Sequence, residues 1–591
     1  MKTVTMTSFV NKRINASMDI HWLPHSVGCL IAHAMTDNDI NNNYKFLTPL
    51  YTPVDYEEYK DVLQKTDILC LTNYVWNQTY NDGISMYYKK INPNGIVLYG
   101  GASVPEHKDY AQTYAQERPY VDLFFVGPGE ITLKNYLKNI NNDTITHEGT
   151  FSQSHNNIVV DKSMYLIKAE DIPDPYILGI FDDIINSIDK KSIGITFEST
   201  RGCPFRCSFC DWGGLSRSLV SKIHKEKIFA NIDWIYKHGD KIATVDIIDA
   251  NFGMAKRDLE ILEYFEKLHH ETGHSFKITV NGFVKNGSPY LKDTILTLNR
   301  LTGYSKNVML SFQTHSPNAL KVVDRDNIRN EKFYPLIKDL HKEGMVLKSE
   351  MILGLPGETL EEYTNTLEID YNLGMDSMRG YPLVFIVNTP MYDTEYRKKH
   401  GIKTKKILIP NDLLITRKQY VNNVHRISNC DFSDRLMFEE AEVMYECNSF
   451  TNDEFIEILK RWWWYHNFYN LGTIRKEISK LHKNGVNIAK QINKFFELIK
   501  QQQMPTLARI LNTYETAIRE IYNPEPITEL RSANAVHFFQ KGMRTYEPAF
   551  FIDNKHQVKL ELEKIYGHVN TDHWKNRYAV TLDEKIYENM A

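Results

Sequence analysis

Apolar residues in this chain follow two rhythms. Up to residue ~165, short aliphatic runs at 3–9, 68–71, 96–99 and 123–126 alternate with stretches whose apolar positions recur every three to four residues. Runs of that length are strand-sized, and strands separated by helices predict a parallel sheet. Two of the runs end in glycine-bearing turns, Gly100-Gly101-Ala102-Ser103 and Gly127-Pro128-Gly129-Glu130. Glycine beyond a strand lets a ligand approach the backbone, and open α/β sheets bind ligands at the carboxyl ends of their strands.

Over 166–190 the pattern weakens into a polar connector that includes Asp171-Ile172-Pro173-Asp174-Pro175-Tyr176. Six more apolar runs follow, at 193–197, 243–248, 276–280, 308–312, 347–353 and 383–387, with helical stretches such as 257–269 and 358–371 between them. This predicts an incomplete (β/α)6 barrel over 191–405, with its chemistry at the C-terminal ends of the strands. From 406 to 591 the spacing is helical almost throughout, which predicts an α-helical C-terminal region. Its run Trp462-Trp463-Trp464 is expected in a core or an interface, because aromatic side chains bury large areas. The fold class is therefore α/β: residues 1–165 form one α/β domain, the barrel a second, and the helical region a third.

Composition narrows the function. A formal net charge of −4 over 591 residues gives nucleic acid no electrostatic support. No apolar run approaches the ~20 residues that a membrane helix needs, and the N-terminus shows no apolar leader. A cytoplasmic, reducing setting is expected, in which thiols stay thiols. Seven cysteines are too few and too scattered for a disulfide framework, yet Cys203, Cys207 and Cys210 fall within eight residues, just past the first barrel run. Three thiolates spaced Cys-x3-Cys-x2-Cys can take three corners of an iron–sulfur cube and leave the fourth iron open. A zinc site would want a fourth nitrogen or sulfur ligand, and no second pair follows nearby.

This loop resembles the signature of the radical S-adenosylmethionine (radical SAM) enzymes, and further matches run through 190–390. The resemblance implies a [4Fe-4S] cluster on Cys203, Cys207 and Cys210, whose open iron chelates S-adenosylmethionine. One-electron reduction then yields a 5′-deoxyadenosyl radical. It implies Phe209 against the adenine, Asp249 and Asn251 at the methionine amino end, and Gln313 and Arg325 at the ribose and carboxylate. The stretch Glu350-Met351-Ile352-Leu353-Gly354-Leu355-Pro356-Gly357-Glu358-Thr359 resembles the family's Gly-Leu-Pro-Gly-Glu-Thr turn. There Glu350 and Gly354 would border the nucleoside, while Glu358 is expected to cap the next helix. No catalytic residue beyond the cluster ligands is assigned.

Before that barrel, the glycine turns, Pro24-His25-Ser26-Val27-Gly28 and 71–77 resemble the cobalamin-binding domain of the cobalamin-dependent subgroup. The resemblance implies a flavodoxin-like, Rossmann-like sheet whose glycine edge holds the corrin among Asn73, Tyr74, Trp76, Gly100, Gly101, Gly127, Gly129 and Glu130. The histidine-ligating pattern Asp-x-His-x-x-Gly is broken, because Asp19-Ile20-His21-Trp22-Leu23-Pro24 has proline in place of the glycine. Cobalt without a protein histidine is therefore expected.

The activity implied is methylation of an unactivated carbon in a small molecule or peptide, with an electron donor such as flavodoxin or ferredoxin and no membrane partner. Cobalamin-dependent rearrangement or ring contraction is the alternative. A methylthiotransferase is disfavoured because the N-terminal domain lacks three further cysteines for an auxiliary cluster, and a cobalamin- or redox-sensing binding module by the complete cysteine loop.

Overall fold

The computed structural model describes residues 1–9, 20–140, 149–154, 167–212, 219–280, 282–283, 288–302, 307–327, 330–410, 438–524 and 548–574. Gly213, Gly214 and Cys430 lie outside them. The first sheet runs Tyr44–Phe46, Lys2–Thr7, Ile68–Thr72, Ile96–Gly100, Leu123–Phe125, Thr150–Phe151, parallel except for the last pair. Apolar side chains cover both of its faces: Leu69, Leu71, Val97 and Tyr99 on one, Val4, Met6, Cys70 and Leu98 on the other. That two-sided burial is why its central strands read as continuous apolar runs.

The second unit holds six parallel strands in two groups. Ile193–Phe197, Ile242–Ile247 and Lys277–Val280 form one sheet, and Asn307–Gln313, Val346–Leu353 and Ser377–Pro382 another. The sixth strand is Ser377–Pro382 and not the expected 383–387. Its residues Ser-Met-Arg-Gly-Tyr-Pro carry little β signal, and pairing with Val346–Leu353 decides the matter. Gly380 lies directly under the Trp462 indole, where a Cβ would come within 2.8 Å of the ring.

Two long strands, Lys403–Pro410 and Phe438–Glu446, pair antiparallel where helix was expected throughout. Their period is two, with Lys405, Ile407, Ala441 and Val443 buried, and charged residues between the apolar ones hid it. Helices follow, including Asn452–Trp464, Ile488–Lys500 and Pro505–Tyr522. Trp462, Trp463 and Trp464 are fully buried in one core shared with the second half of the barrel.

Ties between the first sheet's domain and the barrel include a strand pairing and a polar clamp. His21–Trp22 forms a short strand that pairs with Ile193 and Gly194, and a Cβ at Gly194 would strike the Trp22 ring at 2.7 Å. On the other side, Asn388 adopts φ 72°, donates to the Ala102 and Val104 carbonyls (3.1 and 2.8 Å), and accepts from the Glu106 amide at 2.8 Å.

Candidate functional site

The carboxyl ends of the two sheets face each other across a cavity of about 710 Å³. One wall is backbone and apolar side chain: Gly100 to Ser103, Gly127, Gly129, Tyr74 and Trp76. The other carries Glu198, Arg201, Phe209, Cys210, Asp211 and Trp212. A second cavity of about 290 Å³ continues past Arg201 toward Gly202 and Ala250.

The glycine wall is built by close backbone approach. Gly101 has φ 101°, and a Cβ there would lie 2.7 Å from the Asn73 amide nitrogen and carbonyl oxygen. No other residue type fits without shifting the Ile68–Thr72 strand end. Gly127 also has positive φ (73°), and a Cβ on Gly129 would meet Leu30 at 2.9 Å. At Gly100 a Cβ would make only ordinary contact with Phe125, so what glycine leaves open there is the cavity itself. Tyr74 stacks on Trp76 at 4.7 Å with 2° between the planes, and Trp76 is 48% exposed.

Two residues expected on this wall have other duties. Asn73 is fully buried behind it, its Oδ1 accepting from Asn81 Nδ2 at 2.8 Å. Glu130, in the first turn of the helix Gly129–Asn139, accepts from Arg201 Nη1 at 2.7 Å. His21 lies in the strand that pairs with the barrel, its ring Nδ1 3.4 Å from Tyr51 Oη, and does not line the cavity. His25 lines it instead, stacked on Tyr176, and burial pushes its pKa down.

The barrel wall is held by polar contacts among its side chains and backbone. Burial pushes the Asp249 carboxyl up to about 6, although it accepts from the Ser199 amide (2.7 Å) and hydroxyl (2.5 Å). Asp249 thereby fixes the start of the cysteine loop. Asn251 Nδ2 donates to Cys203 Sγ at 3.1 Å and Arg325 Nη1 to Cys207 Sγ at 3.5 Å. Such donors suit thiolates, the form in which cysteine binds metal. No three His, Cys, Asp or Glu side chains converge on a single ion among the described residues. The described cysteines, including Cys203, Cys207 and Cys210, form no disulfide.

Arg325 is 6% exposed and also donates from Nε to the Phe312 carbonyl (3.2 Å) and Asn327 Oδ1 (2.9 Å), and from Nη2 to the Ser311 carbonyl. Gln313 ends its strand at φ 69°, and Asp324, beside Arg325, has φ 50°. Non-glycine residues in that region store strain of about 1–3 kcal/mol each, and they cluster at functional sites. Glu350 accepts from Ser311 Oγ at 2.7 Å. Phe209 packs between the cavity and the main core.

Two expectations change. At Gly354 (φ 80°) the space a Cβ would take belongs to Phe455, 2.3 Å away, so that glycine admits the C-terminal helix. Glu358 does not cap a helix: Thr359 does, in a capping box with Glu362. The Glu358 carboxyl is buried, which pushes it up to about 8 despite hydrogen bonds from Thr314 and Thr366.

The sequence reading left Glu198, Arg201 and Asp211 unassigned. Arg201 donates to both Glu198 (2.9 Å) and Glu130 (2.7 Å), linking the barrel to the glycine wall. The signal was their position, flanking the cysteine loop immediately after a barrel strand.

Residues 197–369 match the Radical SAM superfamily. Over 403 residues the chain is 28% identical to the cobalamin-dependent radical SAM methyltransferase TokK of Streptomyces tokunonensis, covering 67% of this chain and 58% of that protein. Over 395 residues it is 27% identical to the 2-(S-pantetheinyl)-carbapenam-3-carboxylate methyltransferase of Streptantibioticus cattleyicolor, covering 65% and 56%. The chain thus spans less than two thirds of the length of either relative. Its fold is similar to that of the cobalamin-dependent S-adenosylmethionine radical enzyme OxsB, solved with aqua-cobalamin and S-adenosylmethionine bound: the TM-score is 0.51 at 13% identity, over 99% of this chain and 84% of that one.

The cysteine loop follows the first barrel strand directly and lies within the stretch that matches the Radical SAM superfamily. No helix among the described residues is long and apolar enough to cross a membrane.

Proposed function

We propose that the protein is a cobalamin-dependent radical SAM methyltransferase acting on an unactivated carbon of a small-molecule or peptide substrate. One observation carries this reading: a single cavity of about 710 Å³ has the cysteine loop on one wall and the glycine turns of a parallel sheet on the other. When bound, the cluster with S-adenosylmethionine would supply a hydrogen-abstracting radical, and cobalamin a methyl group.

The residues fit both groups. Cys203, Cys207 and Cys210 would hold the cluster, with Asn251 and Arg325 donating to two of the sulfurs. Arg325 keeps one N–H on each terminal nitrogen beyond its bonds to the described residues, a fork that suits the carboxylate of S-adenosylmethionine. Gln313, at the end of its strand, and Glu350, within the neighbouring strand, would face the nucleoside. Gly100 leaves room for a corrin, Gly101, Gly127 and Gly129 shape the turns that border it, and Tyr74 with Trp76 offers it a flat aromatic surface. The apolar remainder of both walls excludes water from reactive species. Flavodoxin or ferredoxin would supply electrons.

The test is anaerobic turnover with reconstituted enzyme, hydroxocobalamin, S-adenosylmethionine and a reductant, read by mass spectrometry. Methyl transfer requires 5′-deoxyadenosine and S-adenosylhomocysteine together. 5′-Deoxyadenosine without S-adenosylhomocysteine would overturn methylation in favour of rearrangement, and neither product would overturn the radical reading.

A further inference from the structure

Oδ1 of the Asp211 carboxyl has no hydrogen-bond partner among the described residues. The side chain is 8% exposed, Oδ1 is sealed from solvent, and the residue lines the large cavity from the cysteine-loop side. Neighbouring carboxylates have partners: Glu198 and Glu130 take Arg201, Asp249 takes Ser199, and Glu350 takes Ser311. A buried polar group without a partner costs free energy that folded proteins rarely leave uncompensated. Glu106 also acts on Asp211, and its like sign offers no compensation.

An occupant of the cavity that carries an N–H or O–H donor can supply that partner. The cavity is too large for a single water, and its opposite wall is the glycine edge. An occupant seated on that edge and reaching Asp211 must span the cavity and carry donors on its rim. A corrinoid has both properties, since primary carboxamides ring its macrocycle. Resting on the corrinoid reading above, we infer that Asp211 anchors the bound corrinoid from the barrel side by accepting a hydrogen bond from one of its peripheral carboxamides. Asp211 would then set the tilt of the ring toward the cluster, as a positioning residue contributed by the cysteine loop to the other domain's cofactor.

The experiment is a spectrophotometric titration of the full-length, cluster-loaded protein with hydroxocobalamin, comparing wild type, Asp211→Ala and Asp211→Asn, with iron content measured in each. Asp211→Ala should weaken binding about tenfold, the size of one hydrogen bond to a charged acceptor. Asp211→Asn, whose amide oxygen still accepts, should recover most of it. A second probe is the set of cobalamin monocarboxylic acids, each with one peripheral carboxamide replaced by a carboxylate. Wild type should reject one isomer of the set, and Asp211→Ala should lose that selectivity.

Equal affinity of wild type and Asp211→Ala for hydroxocobalamin, or unchanged isomer selectivity in the variant, would overturn the inference. Loss of iron along with corrinoid in Asp211→Ala would also overturn it, since the residue would then act on the loop. Failure of wild type to bind any corrinoid is a different result, which removes the reading on which the inference rests.

Discussion

The two walls of the cavity are built by opposite means. The glycine wall has its shape because side chains are missing: Gly101 leans on the Asn73 backbone, and Gly100 leaves its space to the cavity. The barrel wall has its shape because side chains are present and engaged: Asp249 on Ser199, Asn251 on Cys203, Arg325 on Cys207 and two carbonyls. The first wall presents a surface that a large flat ligand can lie on. The second presents directed donors and thiols, and it tolerates few substitutions because each group supports another.

The largest expected effect isolates the barrel wall. Replacing Cys203, Cys207 and Cys210 together with alanine should abolish the cluster, about four irons per chain in wild type, and with it S-adenosylmethionine cleavage. Hydroxocobalamin binding should survive within a few-fold. If it disappears as well, the walls are not separable.

Gly101→Val isolates the other wall. The left-handed backbone alone costs about 1–3 kcal/mol, and the Cβ clash with Asn73 adds to it. Thermal denaturation should show a lower midpoint and titration a loss of corrinoid binding, with iron content retained. Retained corrinoid affinity would break the contrast.

Arg325→Lys is intermediate. Lysine cannot serve Cys207, Asn327 and two carbonyls at once, and losing a charge-assisted hydrogen bond costs about 1.5–3 kcal/mol. S-Adenosylmethionine affinity, measured by equilibrium dialysis, should fall by one to two orders of magnitude. Unchanged affinity would make Arg325 a support of the strand ends only.

Glu358→Gln sharpens the picture from behind the barrel wall. The folded-state pKa of Glu358 is raised to about 8, whereas the unfolded chain ionises near the ordinary value of 4.5. Between those values the unfolded state binds fewer protons, so wild-type stability falls as pH rises from about 5 to about 8. A glutamine side chain mimics the neutral acid, and the melting temperature of the variant should be flatter over that window. Parallel curves for the two proteins would show that Glu358 titrates normally.

The smallest effect is none at all. His21→Ala should leave corrinoid affinity and the cob(II)alamin paramagnetic resonance spectrum unaltered, because His21 sits in the strand beside Ile193, outside the cavity wall. Nitrogen superhyperfine splitting lost on mutation would contradict this.

Much of this site was legible in the sequence because its elements are local. The cysteine spacing, the strand-end glycines and five of the six barrel strands are each written within ten residues, and the superfamily match over 197–369 agrees with the first of them. What escaped reading depends on distant partners. The strand Ser377–Pro382 exists because Val346–Leu353 lies beside it. Glu358 is a buried acid because Thr314 arrives from another loop. Gly354 looks like a ligand contact until Phe455, a hundred residues later, fills its space. Arg201 links the walls through Glu130, seventy-one residues earlier, and no local pattern announces such a pair.

The short strand His21–Trp22 also bears on how the chain is made. It belongs to the first domain by sequence but pairs with Ile193–Gly194, about 170 residues downstream. A ribosome adding about 5–20 residues per second leaves that edge unpaired for roughly ten to thirty seconds. During that interval Trp22 has no sheet to lie on, and the apolar side of the segment is open to chaperones or to neighbouring nascent chains. His21–Trp22 closes the edge of the barrel's first sheet, so a truncation anywhere before residue 193 leaves this segment of the first domain without its partner strand.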